Sequence, residues 1–165
     1  MKTLGDFFFQ IGDESFTPLL LAVSNTDENV GERFGVLSTG KSGNHPIYVD
    51  VVIYTLAKKF KKAALPSIKT HLENENYKGG ALLVDVLSMI AEDQDNATKQ
   101  AVSELISKLV TNDNYKVRAH AATVLGSLGQ VNDKVLAALR QVEVDQESKA
   151  VRKAAESALE DLGVE

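Results

Sequence analysis

The sequence predicts an all-α fold, a right-handed α-solenoid of stacked helix pairs, from three observations. A block near the C-terminus occurs twice and carries apolar residues at helical steps. Further amphipathic stretches alternate with the copies of this block. Aromatic residues make up only 6% of a chain that is 44% hydrophobic, so small aliphatic side chains must fill the core. Such packing suits closely spaced helices better than sheets, which favour aromatic and β-branched residues.

The recurring block is Val117–Gly129 (VRAHAATVLGSLG), and its second copy is Val151–Gly163 (VRKAAESALEDLG). The identical residues are a Val, an Arg, an Ala, two Leu and a Gly, at 117/151, 118/152, 121/155, 125/159, 128/162 and 129/163. The apolar ones follow steps of four, four and three, which is the buried stripe of an α-helix. The glycine that ends each copy is typical of a helix stop. Asp113 and Asp145 are predicted to start the two helices.

A third and weaker copy is predicted upstream. Residues 76–78 and residues 114–116 both read NYK. The offset between them exceeds the offset between the two C-terminal copies by about one turn of helix. The apolar residues that match further along are Ala81, Val86 and Leu87, against Ala119, Val124 and Leu125. The additional residues are assigned to the polar loop 92–96. In this alignment, the glycines at 79–80 replace the Val-Arg pair of the other copies.

Amphipathic stretches lie between these copies, at Ala64–Leu72, Thr98–Val110 and Lys134–Val142. The resulting order is helix A, turn, helix B, turn. Because one helix pair cannot bury its apolar face alone, neighbouring pairs are expected to stack. About four pairs and a final unpaired A helix are predicted. We expect one domain over 1–165, with irregular repeats over 1–62 and clearer repeats over 63–165.

The run V-R-x-x-A-A-x-x-L-G-x-L-G at Val117–Gly129 resembles the short HEAT-like repeat of the phycobilisome-lyase type. The resemblance is strong over 112–164 and moderate over 64–110. The second copy departs from the pattern, with Glu156 at the second Ala and Glu160 at the first Gly. The resemblance implies an Asp–Arg ladder between repeats. It also implies a protein that attaches or removes bilin chromophores on phycobiliproteins, or one of the many partners of unknown role that carry such repeats, although no catalytic residue can be carried over.

Arg118 and Arg152 occupy the same place in the two copies. One interpretation is that they bind an acidic partner or a phosphate. The other is that each forms a repeated ion pair or hydrogen bond with an acid between repeats, such as Asp113 or Asp145. Because the arginine recurs with the repeat, we favour the structural interpretation.

Residues 35–42 (GVLSTGKS) match the phosphate-binding pattern G-x-x-x-x-G-K-S. In such a site, Gly40, Lys41 and Ser42 would bind a nucleotide and its magnesium ion, and Asp85 would hold the metal. A true site follows a buried apolar strand, whereas residues 27–34 are mostly polar and Asp85 lies in a predicted helix. A glycine-rich loop between helices is therefore the favoured interpretation, and no cofactor is predicted.

Phe7, Phe8 and Phe9 are consecutive near the N-terminus. Consecutive residues of a helix lie about 100° apart, so one narrow core stripe cannot hold all three rings. The triplet is predicted to be either the cap of a terminal helix or a docking surface for a partner or a second copy. Both interpretations remain open.

The other residue patterns predict no catalytic or metal site. The chain has no cysteine, which excludes disulfides and thiolate ligands. The histidines lack a short ligand spacing and are interpreted as isolated surface or capping residues: His45, His71 and His120. The lysines around Phe60 are interpreted as the solvated end of a helix, not as a patch for an acidic partner or a membrane: Lys58, Lys59, Lys61 and Lys62.

The predicted function is that of a non-enzymatic protein-binding scaffold or assembly factor, which holds an elongated partner on the surface of its B helices. Nucleic acid is not expected, because 23 acidic and 18 basic residues give a net charge of −5 and no basic stripe is visible. The apolar runs are too short to span a membrane and no secretory signal is seen, so a cytoplasmic location is expected.

Two alternative functions follow from the same sequence. The first is a subunit of a bilin lyase or another chromophore-handling factor for phycobiliproteins, as the family resemblance implies. The second is a nucleotide-binding protein that uses residues 35–42. A homodimer through the N-terminal helix is a further possibility that the phenylalanine triplet raises.

Overall fold

Six complete α-helices make up most of the computed structural model, which describes residues 57–58, 60–73 and 80–164. In chain order they are α1 (Leu65–Leu72), α2 (Ala81–Ala91), α3 (Asn96–Ser107), α4 (Tyr115–Leu128), α5 (Asp133–Glu143) and α6 (Lys149–Asp161). Short 3₁₀ turns precede α1 at Lys61–Ala64 and follow α3 at Lys108–Thr111. These residues contain no strand, and the predicted all-α solenoid is confirmed.

The helices form two layers. Helices α2, α4 and α6 pack side by side in the A layer, and helices α1, α3 and α5 pack side by side in the B layer. Each layer also packs on the other, since α3 contacts α2 and α4, and α5 contacts α4 and α6. The alternation of A and B helices is the one that the sequence predicts. Within the described part of the chain, α6 is an A helix that no B helix follows.

The core lies between the two layers and consists of small aliphatic side chains. Among the described residues, every fully buried apolar one is Ala, Val, Leu or Ile, as the low aromatic content predicts. The largest of them, all less than 2% exposed, are Ile68, Leu83, Leu87, Ile90, Ile106, Leu125, Leu139 and Val84. The predicted stripes are buried in both copies at Val117, Ala121 and Leu125 and at Val151, Ala155 and Leu159. Their last leucines, Leu128 and Leu162, are half-buried against the same core.

The helix starts differ from the prediction. Asn114 caps α4 by accepting the backbone N–H of Lys116, and Ser148 caps α6 by accepting the backbone N–H of Val151. The prediction of Asp113 and Asp145 as the starting residues is therefore wrong. Asn and Ser are as effective as Asp as N-cap residues, and Asn114 and Ser148 stand closer to the helices than Asp113 and Asp145 do. The predicted stops are confirmed, because both terminal glycines adopt left-handed backbone, with φ of 64° at Gly129 and 69° at Gly163.

The third copy follows the same spacing as the other two. The capping residues Gly80, Asn114 and Ser148 are evenly spaced along the chain, by the same offset that separates Val117 from Val151. The predicted insertion into loop 92–96 is wrong, because the loops after α2 and α4 are equally long. The two copies differ in helix length instead, since α2 has 11 residues and α4 has 14. The difference is nearly one turn of helix.

Helices α4 and α6 approach each other closely at Gly126. A Cβ atom added to Gly126 would lie 2.8 Å from the Cα of Ala158 and 3.0 Å from its Cβ. The neighbouring interface residues Ala122 and Ala155 are also small and fully buried. The small residues of the repeat therefore determine how tightly successive A helices pack.

The predicted helix end near Phe60 is confirmed. Residues 57–58 and 60 are helical, and Lys61 then adopts left-handed backbone with φ of 48°. Beyond this break, the Nζ of Lys62 lies 3.9 Å from Oδ2 of Asp95. Both side chains are mostly exposed, so this is a weak surface ion pair.

Candidate binding surface

The outward face of the B layer carries three exposed stripes. On α3 the exposed residues recur at helical steps: Ala97, Gln100, Ala101 and half-buried Glu104. The neighbouring stripes are Pro66, Lys69 and Thr70 on α1, and Lys134, Ala137 and Gln141 on α5. Because the three helices lie side by side, these stripes form one continuous surface, which we call the B-layer surface.

Ion pairs cross this surface between neighbouring helices. The Nζ of Lys134 on α5 lies 2.5 Å from Oε2 of Glu104 on α3. The Nζ of Lys108, just after α3, lies 3.6 Å from Oε1 of Glu73, just after α1. The hydrogen bond from Lys134 holds the pKa of Glu104 below its usual range, so this carboxylate is ionised at neutral pH. Such exposed pairs add little stability, but they fix charged groups at defined places on the surface.

Small side chains lie between the charged groups. Ala97 and Ala101 on α3 and Ala137 on α5 are exposed and have nothing beyond Cβ. A partner segment can therefore approach the helix backbones closely and reach the flanking ion pairs. This arrangement offers a partner polar contacts on a closely approachable surface.

Arg118 belongs to a buried network between repeats and is 6% exposed. Its Nε lies 2.9 Å from Oδ2 of Asp145, and its Nη2 donates to Oε2 of Glu147 at 2.8 Å. Its Nη1 donates to the backbone carbonyls of Asn112 at 2.9 Å and Asp113 at 3.0 Å. The guanidinium therefore joins the start of α4 to the loop before α6. The predicted ion pair between repeats is confirmed, with Asp145 as its partner.

Asp145 connects both arginines of the repeat. Its carboxylate pairs with Arg118, and its backbone carbonyl accepts a hydrogen bond from Nη1 of Arg152 at 2.5 Å. Desolvation raises the pKa of Asp145, but the backbone N–H groups of Ser148 and Glu147 and the Arg118 guanidinium lower it further, so the pKa lies below its usual range. Asp145 is thus ionised at neutral pH.

His120 is not isolated, in contrast to the prediction. Its Nε2 lies 2.6 Å from Oδ1 of Asp85, which joins α4 to α2 within the A layer. The hydrogen bond to Asp85 raises the pKa of His120, although burial opposes the shift. Asp85 lies in α2, as predicted, and its pairing with His120 joins two helices of the A layer.

The spacing of this pair in the sequence is a signal for its contact, and no prediction used it. The offset between Asn114 and Ser148 gives the repeat length. Asp85 and His120 are separated by one residue more than this length. Residues on successive A helices that differ by about one repeat become neighbours when the helices stack. The partner Glu147, in the loop before α6, has no comparable signal.

Several predicted site residues lie outside the described residues. They are Phe7, Phe8, Phe9, Gly40, Lys41, Ser42 and His45. Their predicted roles in docking, nucleotide binding or surface exposure stay predictions. Over residues 57–164, as far as the structure describes them, no group of three or more acidic or histidine side chains could hold a metal ion. In that same part, no helix has the length and apolar character needed to cross a bilayer.

A groove lies at the C-terminal end of the stack. Its walls come from α5, α6 and the residues just after α6, and its volume is about 710 Å³. The lining residues are Arg140, Glu143, Glu156, Leu159, Glu160, Gly163 and Val164. This groove is separate from the stripes that define the B-layer surface.

Comparisons with known proteins agree with this architecture. No curated protein and no solved structure matches the chain. The family model for HEAT repeats matches residues 65–160, which is more than half of the 165 residues and coincides with the stack from α1 to α6. The family, the two-layer stack and the buried arginine between repeats all agree, and the chain therefore belongs to the HEAT-repeat family.

Proposed function

We propose that this chain is a non-catalytic scaffold that holds another protein on its B-layer surface. The observation that carries this proposal is the continuity of that surface over three B helices. HEAT repeats commonly mediate protein–protein interactions, which supports the same role. Solenoids use such extended surfaces to contact a long stretch of a partner.

The polar groups of the described residues support a scaffold rather than an enzyme. The buried network around Arg118 joins two repeats, and the pair of His120 and Asp85 joins two A helices. These groups therefore stabilise the stack itself. The polar groups that remain exposed on the B-layer surface, such as Gln100 and Lys69, are suited to hydrogen bonds and ion pairs with a partner.

The proposal is tested by blocking the B-layer surface. Ala101 is exposed in the middle of α3, so Ala101→Arg adds bulk and charge there without disturbing the core. The control is Thr123→Arg, at an exposed position in the middle of α4 in the A layer. The immobilised wild type and both variants are incubated with lysate of the source cells, and retained proteins are quantified by mass spectrometry.

We expect a specific protein to be retained by wild type and Thr123→Arg and lost with Ala101→Arg, while all three share the same Tm. Equal retention by all three would refute the use of this surface. Loss with Thr123→Arg alone would move the binding site to the A layer.

The bilin-handling alternative is supported by the motif at Val117–Gly129 and by its resemblance to repeats of the phycobilisome-lyase type. It predicts that the chain binds free bilin and changes its absorbance spectrum. The nucleotide alternative is supported only by residues 35–42 and predicts that magnesium-ATP raises the Tm. If the chain does not change the bilin spectrum and magnesium-ATP does not change its Tm, both alternatives are excluded and only the scaffold proposal remains.

A further inference from the structure

We propose that the C-terminal groove binds a basic amphipathic helix of a partner protein, at a second site that is separate from the B-layer surface. Inside the stack, α3 packs on α2 and α1, and α5 packs on α4 and α3. A helix placed in the groove between α6 and α5 would likewise contact one A helix and one B helix. Its shape therefore corresponds to the position of a B helix.

The floor of the groove is apolar. Leu159 stands at the repeat position of Leu125, and Val164 packs against the core just beyond α6. Leu159 is only 7% exposed, so a helix in the groove would cover its remaining exposed edge together with half-buried Val164. An amphipathic helix in an apolar groove is a common mode of protein recognition.

The rim of the groove is acidic. Three carboxylates, from Glu143, Glu156 and Glu160, face one guanidinium, from Arg140. This excess of negative charge favours an occupant with lysines or arginines beside its apolar stripe. Charge complementarity therefore specifies a basic helix rather than an acidic or a purely apolar one.

Two of these acids replace small buried residues of the preceding repeat. Glu156 and Glu160 follow Ala122 and Gly126 by one repeat, and Gly126 packs directly against α6 through Ala158. Carboxylates at these positions would lose their hydration under another closely packed A helix. A partner that brings positive charge satisfies them instead.

The test uses two fluorescein-labelled peptides of about 15 residues, long enough to form a helix when bound. Both carry leucines at helical steps of three and four, and they differ only in having lysine or glutamate at the flanking positions. Fluorescence anisotropy measures their affinity for the full chain at low and high salt. The charge-reversal variants are Glu156→Lys and Glu160→Lys, and the control is Glu92→Lys at an exposed site after α2.

We expect the lysine peptide to bind wild type and Glu92→Lys equally, to bind either groove variant about tenfold more weakly, and to lose affinity as salt is raised. The methyl NMR signals of Leu159 and Val164 should shift as this peptide is added. The glutamate peptide should not bind.

Four outcomes would overturn the proposal. They are an absence of lysine-peptide binding, equal binding of the glutamate peptide, groove variants that match wild type, and methyl signals that do not move. A concentration-dependent mass of wild type that Glu160→Lys abolishes would instead identify a second copy as the occupant. None of these results depends on Ala101→Arg, so the groove and the B-layer surface are tested separately.

Discussion

Arg118 and Asp145 hold two successive repeats together, with Nε and Oδ2 2.9 Å apart and each side chain more than nine-tenths buried. Arg118→Ala would leave the Asp145 carboxylate and the carbonyls of Asn112 and Asp113 without this donor. We therefore expect it to lower the free energy of unfolding by about 3 kcal/mol. Urea denaturation followed by circular dichroism measures the change.

Arg152→Ala is the matched comparison. Arg152 is only half-buried, and the hydrogen bond that it donates goes to one carbonyl, so we expect a loss of about 1 kcal/mol. If Arg118→Ala keeps native stability but no longer retains the partner, then Arg118 belongs to a binding site rather than to the junction between repeats.

Gly126→Ala is expected to destabilise the protein, although alanine is the better helix former by about 1 kcal/mol. The new methyl group would lie 2.8 Å from the backbone of Ala158, so α4 and α6 must move apart. Such overpacking costs about 1–3 kcal/mol, which exceeds the gain in helix propensity. A lower Tm is therefore expected, and a raised Tm would show that the two helices separate freely.

Leu125→Ala and Leu159→Ala should each destabilise the fold by about 2–5 kcal/mol, because both leucines are buried in the core of the repeat. The control is Val131→Ala, since Val131 is 57% exposed and its truncation should change stability by less than about 0.5 kcal/mol. Chemical denaturation of the three variants gives the comparison. Unchanged stability in both leucine variants would contradict the assignment of the repeat core.

The pair of His120 and Asp85 should make stability depend on pH. The folded pKa of His120 is raised, so its contribution is fully present below the unfolded value of about 6.5 and is lost as pH rises through the folded pKa. Both side chains are at least a third exposed, so the contribution is only about 0.5 kcal/mol. Asp85→Asn should therefore cost more stability at pH 5.5 than at pH 8.

Glu104→Gln provides the control for this titration. The pKa of Glu104 lies below its usual range, so Glu104 stays ionised throughout that interval and the cost of this substitution should be the same at both pH values. A cost of Asp85→Asn that does not change with pH would mean that His120 and Asp85 do not interact in solution.

The triplet of Phe7, Phe8 and Phe9 stays a prediction, and single changes to Ser can test it. We expect at least one change to weaken partner retention or self-association without lowering the Tm, since one helix stripe cannot bury three consecutive rings. Thermal melts and light scattering provide the two measurements. If all three changes destabilise the monomer and none alters association, the triplet is a cap.

The helical stripes were predictable because burial imposes a period on the sequence, and Val117, Ala121 and Leu125 show this period directly. The pairing of Arg118 with Asp145 was predictable because both recur near fixed places in the repeat. The capping roles of Asn114 and Ser148 were not, since several neighbouring polar residues could accept the same N–H groups.

The B-layer surface was predicted only in outline. The cross-helix pair of Glu104 and Lys134 depends on how far neighbouring helices slide along each other, and a single helix sequence does not encode that offset. The additional turn of α4 was also hidden, because shifting an alignment by one whole turn leaves the apolar side chains on nearly the same helix face.

The two junctions between A helices give the stack unequal stiffness along its length. The α4–α6 junction has a buried guanidinium and a close backbone contact, while the α2–α4 junction has the partly exposed pair of His120 and Asp85. In a linear stack each junction has its own free energy of opening, which depends mainly on the contacts at that junction. A partner lying across the B-layer surface would therefore meet a rigid half and a compliant half, and the curvature of the solenoid should adjust mainly at the α2–α4 junction.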